Sequence, residues 1–502
     1  MFKKPSHYYS WTTLTGTVIA AISFFLILFL FIISLFSKGE NQYTALLIYI
    51  ILPAFMILGL LLIPTGIILK RKKEKKAGIE KSHRFPIVNL NDPKQRWIVI
   101  FVTLTTSVLF VMSVFGSYKA YHYTESNEFC GLLCHKVMSP EYTTYHTSEH
   151  ARVKCVECHI GSGAGWYLKS KLSGMYQVYS ALFDKYPRPI PTPLHNLRPA
   201  SETCANCHWP EKFFDRKYIT CKHYLADETT TAWNVHLLMK ICTENGPEGE
   251  EKGVHWHNNR NVKIQFASLK NQRDTILWVR YTNLKSGKSI VYTDDSIPFT
   301  KKQMNTLSVR TMDCLDCHNR PAHKFNSPVN YFDEALTKGQ IAKLPDIKIA
   351  AMDILDGEVK YPTLDSAFKA IETGINEYYE IMYEAIYANK KYLIDSAVAS
   401  LKKAYAANTF PAMKTDWETH PDYLGHTETN GCHRCHNDRF KSSGGEVISR
   451  KCTLCHLIKA QGIPGKMVYA DSSEALEFVH PVGIKGKWKK ILCAKCHRHL
   501  YE

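Results

Sequence analysis

The sequence predicts a membrane-anchored chain. Three transmembrane helices lead into a mainly α and irregular outer region, dense in one repeated motif, with a small antiparallel β insert and a helical segment. Three observations predict it. Residues 18–36, 43–69 and 97–118 are apolar runs without a charge, and each meets the roughly 20 residues that a spanning helix needs. A cysteine–cysteine–histidine motif recurs seven times from Cys130 to His497. Between the motifs, one stretch alternates apolar and polar residues and another shows helical periodicity.

The first run is too long for a signal peptide, and no small-x-small cleavage site follows it. Pro53 and Pro64 should bend the second span, which neighbouring helices tolerate in a membrane. Lys3 and Lys4 precede the first span, and the segment 70–96 carries ten Lys or Arg against three Asp or Glu. Basic residues stay in the cytoplasm. Residues 1–96 therefore read as a two-span hairpin plus a basic cytoplasmic loop, with the amino terminus also inside. Residues 120–502, and every motif, then lie outside the inner membrane, in the periplasm.

Six motifs are CxxCH: Cys155/Cys158/His159, Cys204/Cys207/His208, Cys314/Cys317/His318, Cys432/Cys435/His436, Cys452/Cys455/His456 and Cys493/Cys496/His497. The first is longer by one residue, Cys130/Cys134/His135. Zinc sites also use CxxC pairs, but they do not require a histidine directly after every second cysteine. In c-type cytochromes two thiols add to the haem vinyl groups and the adjacent histidine binds the iron. The chain thus reads as a membrane-anchored multihaem cytochrome with seven covalent haem c groups. Fourteen of the sixteen cysteines are used. For Cys221 and Cys242, a disulfide is preferred over two separate buried thiols, because the compartment is oxidising.

The net charge of +17 does not signal nucleic acid. Part of it is the cytoplasmic loop. Seven oxidised haems with ionised propionates would lower it to about +10, and no basic patch with interleaved aromatics is present.

Five segments follow. After the 1–96 hairpin, residues 97–210 hold the third span and motifs one to three. Residues 211–310 form the β-rich insert, where NVKIQFASL, TILWVRYTNL and SIVYT read as antiparallel strands. Residues 311–412 hold motif four and a helical segment whose Tyr and Ile stripe is packing. Residues 413–502 carry motifs five to seven, with little regular structure expected.

Distal iron ligands are sought among the remaining histidines. His7 and His83 are cytoplasmic and excluded. His323 follows motif four, His426 precedes motif five and His480 precedes motif seven; with His150, before motif two, these are the favoured ligands. His255 or His257, His195, His146 and His420 are a second rank. His433, inside motif five, should project away from its own iron. His122, His223, His236 and His499 are read as non-ligands.

Three segments carry a family resemblance: FCGLLCHKVMSPEY after the third span, HARVKCVECHIGSGAGWYLKSKLSGMYQVY, and RPASETCANCHWPEKF. Their order and spacing over residues 97–210 resemble the NapC/NirT family of membrane quinol dehydrogenases. The N-terminal hairpin and the GVHWH, CHNRPAH and GHTETNGCHRCH segments extend the similarity to that family's larger seven-haem, three-span members in metal-respiring bacteria. The resemblance implies anaerobic respiratory electron transport, with menaquinol or another quinol as substrate and periplasmic cytochromes or reductases as acceptors. It implies a quinol site beside the first haem, with Lys169 and Lys171 facing the quinol oxygens. At the acidic position stands Gln177, which can orient a quinol but not take its proton, so the proton leaves through water or Glu141. The first motif also departs from CxxCH. The methionine that binds this iron in the family corresponds to Met138, three residues after His135, so His135 or Met138 takes one axial position. The alternatives are a terminal reductase of nitrite or hydroxylamine type, which needs an open iron in a polar pocket, and a non-catalytic haem wire within a larger respiratory complex. A homo- or hetero-oligomer is compatible with each.

Overall fold

The computed structural model describes residues 10–36, 47–77, 89–132, 135–160, 163–192, 198–209, 216–242, 253–269, 272–294, 296, 307–355, 359–471 and 474–498. It divides into two compact units, Met1–His135 and Lys136–Glu502. The third long helix therefore groups with the hairpin, and not with motifs two and three as the 97–210 segment expected.

The first unit contains α1 (Trp11–Phe36), α2 (Leu52–Lys76) and α3 (Pro93–Thr124). All three are long and apolar enough to cross a membrane. α1 and α2 approach closely because small residues meet: a Cβ on Gly59 would lie 2.6 Å from the Ala20 nitrogen and 2.7 Å from the Gly16 carbonyl. Such small-residue contacts suit helices in lipid, where apolar burial gives little drive to associate. Pro53 stands in the first turn of α2, directly after a π-helical turn over Leu47–Ile51, and Pro64 lies inside the helix. α3 starts on Asp92, whose carboxylate caps the Lys94 amide at 2.9 Å.

In the second unit, α4 (His135–His146) and α5 (Ala164–Leu182) precede two antiparallel sheets. The strands are β1 (Arg216–Tyr224), β2 (Ala232–Lys240), β3 (Val262–Leu269), β4 (Gln272–Asn283), β5 (Ser289–Asp294), β6 (Leu307–Thr311), β7 (Phe440–Ser442), β8 (His456–Ile463) and β9 (Lys466–Tyr469). One sheet has the order β1-β2-β8-β9 and the other β6-β3-β4-β5-β7. Residues 211–310 are therefore not a self-contained insert. β2 takes β8 as its second neighbour and β5 takes β7, so the C-terminal segment holds more regular structure than its sequence suggests. An edge strand leaves unpaired backbone groups, and these distant strands pair them.

The helices α6 (Pro328–Thr337), α7 (Ile347–Leu355), α8 (Leu364–Met382) and α9 (Lys391–Asn408) close around one apolar core. The stripe Ile371, Ile375 and Tyr379 on α8 packs with Ile394 and Leu401 on α9, all fully buried. The Tyr379 hydroxyl donates to the Pro345 carbonyl at 2.6 Å, so even its polar atom is used in packing. A buried ammonium ties this bundle to the sheet: Lys348 donates to Asp333 at 2.6 Å and to the Tyr224 carbonyl of β1 at 2.5 Å.

Candidate functional site

Each described motif forms a single tight turn. In motifs three, four, five and seven the histidine amide donates back to the carbonyl of the first cysteine, at 2.7 Å for His208, 2.8 Å for His318 and 3.0 Å for His436 and His497. The turn brings two thiols and one imidazole together within five residues. Motif four is further fixed by a capping box of Asp313 and Asp316, with Arg310 bonded to Asp316 at 3.1 Å. In motif one, Cys130 is half-buried in the helix Asn127–Leu132. Cys134 and the side chain of His135 lie outside the described residues.

The thiols assigned to haem attachment differ in exposure. Cys155, Cys204, Cys314, Cys317, Cys435, Cys455 and Cys493 are half-buried, whereas Cys158, Cys207, Cys432, Cys452 and Cys496 are exposed. Motif seven shows why. Cys493 precedes the short helix Ala494–His497 and Cys496 lies within it. The Cys496 amide donates to the Cys493 carbonyl at 3.0 Å. The turn therefore holds Cys496 beside Cys493 and His497 by backbone contacts, while burial holds only Cys493.

The distal histidines supply the decisive geometry. Among the described residues, six motif histidines each face a second imidazole. The ring centres are 6.3 Å apart for His159–His323, 6.0 Å for His208–His150, 6.3 Å for His318–His255, 5.9 Å for His436–His257, 6.3 Å for His456–His426 and 6.1 Å for His497–His480. Two imidazoles binding one metal from opposite sides, with metal–nitrogen bonds of about 2 Å, place their ring centres roughly 6 Å apart. The donor set and its spacing fit a bis-histidine haem c at each pair.

Backbone contacts aim these rings. The Nδ1–H of His150 donates to the Pro321 carbonyl (3.0 Å), that of His323 to Glu141 (2.9 Å), that of His255 to Ile241 (2.6 Å), that of His257 to Val254 (2.9 Å) and that of His480 to Val482 (3.0 Å). For the first four the bond fixes the tautomer that leaves Nε2 for a metal, while the Nδ1 of His480 also lies 3.3 Å from the Val482 amide. Burial lowers the His257 and His323 pKa, the latter to about 4, so both are neutral donors at pH 7. Two glycines make room. A Cβ on Gly253, before His255, would lie 2.6 Å from the backbone of Cys242, and one on Gly431, before Cys432, would strike the Gly425 carbonyl.

Pairing does not follow chain proximity. His150 precedes motif two but faces motif three. His323 follows motif four but faces motif two, and His426 precedes motif five but faces motif six. His255 and His257 both face a motif histidine, one in motif four and one in motif five. Sequence reasoning ranked them second because no motif adjoins them; the signal was two histidines two residues apart in one short segment. Among the described residues, His420 and His146 face no motif histidine. His420 is 1% exposed, with its nitrogens near Thr419 Oγ1 (3.1 Å) and the Ile190 carbonyl (3.2 Å), while His146 packs on Tyr142 and Tyr145. His433 stacks on His426 at 4.4 Å. His122 packs on Tyr118 and Tyr121, His223 lies 4.0 Å from Asp333, and His236 bonds Tyr218. His195 and His499 lie outside the described residues.

Consecutive motifs are neighbours in space. Burial raises the Cys158 thiol, and Cys204 and Cys207 raise it further. Burial likewise raises Cys314, with Cys204 adding to it, and pushes Cys317 up to about 12, with Cys432 adding. Cys455 is pushed up to about 11 by burial and then by Cys432. Cys493 is raised by burial, with Cys452 of motif six and its own partner Cys496 contributing. The couplings run two–three–four–five–six–seven, in chain order.

The residues assigned to quinol chemistry lie on two helices of the second unit. Lys169 and Lys171 are on α5, with Lys169 Nζ 4.9 Å from the Trp166 ring centre. Leu168, Leu172, Met175 and Tyr176 are exposed on the same helix. Gln177 is exposed and donates to Ser173 at 3.3 Å. Glu141 is on α4; burial raises its carboxyl, against the opposing charge of Arg320. Met138 is half-buried on the same helix. The preferred Cys221–Cys242 disulfide is not formed. Cys221 lies opposite Val235, and Arg216, five residues earlier, opposite Lys240. The ladder therefore carries Cys242 away from Cys221.

Three membrane-length helices, repeated CxxCH turns and opposed imidazoles define a membrane-bound cytochrome c that transfers electrons. The profile described as the NapC/NirT cytochrome c family, N-terminal region, matches residues 92–190. Cytochrome c-type protein ImcH of Geobacter sulfurreducens is 39% identical over 498 residues, 97% of this chain and 95% of its own length. Cytochrome c-type protein NrfH of Wolinella succinogenes is 33% identical over 103 residues, 20% of this chain and 57% of its own. No solved structure matches the chain. The chain belongs to the NapC/NirT cytochrome c family as an ImcH-like membrane cytochrome, and covalent haem c is that family's cofactor.

Proposed function

We propose that this chain is a quinol:cytochrome c oxidoreductase of the inner membrane. It takes two electrons from menaquinol or another quinol, releases two protons outside, and delivers the electrons singly to periplasmic cytochromes or reductases. The observation that carries this reading is the set of six imidazole pairs on consecutive, neighbouring motifs. Bound haem c supplies one-electron carriers. The cysteine pairs of all seven motifs, from Cys130/Cys134 to Cys493/Cys496, anchor seven haems. His159, His208, His318, His436, His456 and His497 hold the irons from one side and their partner rings from the other. His135 or Met138 serves the first motif, which follows the third span directly in sequence. A terminal reductase needs an open iron, and a second imidazole opposite each of six motif histidines would close those irons, which argues against that reading. Lys169 and Lys171 stabilise a deprotonating quinol oxygen because a cation favours a developing anion. Glu141, whose raised carboxyl can hold a proton, takes part in its release.

The test is reduction of the haem bands by a menaquinol analogue in the full-length protein in lipid nanodiscs, with each candidate periplasmic acceptor then added. Reduction by dithionite but never by quinol would overturn the assignment. Intact mass should show seven haem additions; six would remove Cys130 and Cys134 from the set. Protease added to spheroplasts should digest the haem region and spare a tag placed in the 70–96 loop. Loss of that tag would reverse the orientation.

A further inference from the structure

The series of motifs ends at motif seven, and the chain around it is unusually basic. From Phe478 to Arg498 there is no carboxylate, while Lys485, Lys487, Lys489, Lys490 and Lys495 are all exposed. Among the described residues only Lys489 of these five makes an ion pair, with Glu477. Two ionised propionates on a haem at His480–His497 would offset part of this charge and still leave a surplus. Val479, Val482 and Ile491 are exposed on the same 478–498 segment, at 54%, 56% and 38%. Exposed apolar side chains on a segment rich in one charge suit brief docking, where charge steers the encounter and the contact itself stays weak.

We infer that the 478–498 surface is the electron exit and that it receives a redox protein with an acidic rim around its redox centre. This rests on the electron-transfer reading above, with entry at the first motif and exit at the last. One electron passes from the reduced carrier held by His480 and His497 to the oxidised partner, and no bond is made or broken. Opposite charge raises the association rate and like charge lowers it, and both effects fade as salt screens them.

The test uses the full-length holoprotein in neutral-lipid nanodiscs, reduced beforehand with dithionite so that the quinol step plays no part. The probe is an oxidised blue-copper protein with an acidic patch beside its copper. At low ionic strength the triple variant Lys485→Glu/Lys487→Glu/Lys490→Glu should oxidise about tenfold more slowly than wild type, and the wild-type rate should fall as salt is added. Haem content and reduction by quinol should not change. Equal rates in the two proteins, or a wild-type rate that rises with salt, would overturn the proposal. So would loss of binding to phosphatidylserine vesicles in the triple variant with an unchanged copper-protein rate, because the lysines would then be a lipid contact. Failure of quinol reduction with an intact salt effect would instead count against the quinol assignment alone.

Discussion

Replacing His323 by alanine should convert one low-spin haem to a high-spin or water-ligated form, and the haem changed should be that of motif two. His323 lies five residues after His318, yet its ring faces His159 at 6.3 Å while His318 faces His255. Losing one strong-field imidazole should also move that haem's potential by an amount on the order of 0.1 V, within the roughly 0.8 V that axial ligation spans. Because motif two stands at the start of the described series, transfer to every later motif should slow. The measurement is the high-spin optical and paramagnetic resonance signal. Adding Cys155→Ala/Cys158→Ala, which removes the motif-two haem, should abolish the new signal, whereas adding Cys314→Ala/Cys317→Ala should not. The opposite pattern would mean that His323 serves motif four. An unchanged low-spin spectrum would mean that it binds no iron.

The double variant Lys169→Ala/Lys171→Ala should lower quinol-driven haem reduction by about 10²-fold, the scale on which losing a group that stabilises developing charge is felt. Dithionite should still reduce every haem. Both lysines stand on α5 beside exposed Leu168, Leu172, Met175 and Tyr176, so a lipid-soluble substrate meets apolar surface and cation together. If the two single variants and the double keep wild-type quinol rates, the quinol is oxidised elsewhere. If dithionite reduction is lost as well, the helix is structural.

The metal chemistry was legible in the sequence because covalent attachment demands a local pattern. Two thiols and an imidazole must fall within one turn, so the motifs can be read without knowing the fold. Which thiol of a pair is exposed, as Cys496 is beside half-buried Cys493, depends on what packs against the turn and is not part of that pattern. The distal imidazoles carry no such local demand. His150, His426 and His480 could be picked out by their closeness to a motif, but closeness named the right motif for His480 alone. His255 and His257 sit in a turn between strands, and only folding brings them to motifs four and five. His420 looked like a ligand candidate by position, and its two nitrogens are spent on Thr419 and Ile190.

The sequence by itself determined the three apolar spans, the basic bias of residues 70–96 and the repeated attachment motifs, since each is a property of neighbouring residues. Tertiary structure alone decided which histidine faces which motif, that β8 completes the sheet of β2, and that Cys221 and Cys242 stay apart. Those outcomes depend on strand register and on contacts between segments as far apart as Asn234 and Gly462, and no local pattern encodes them.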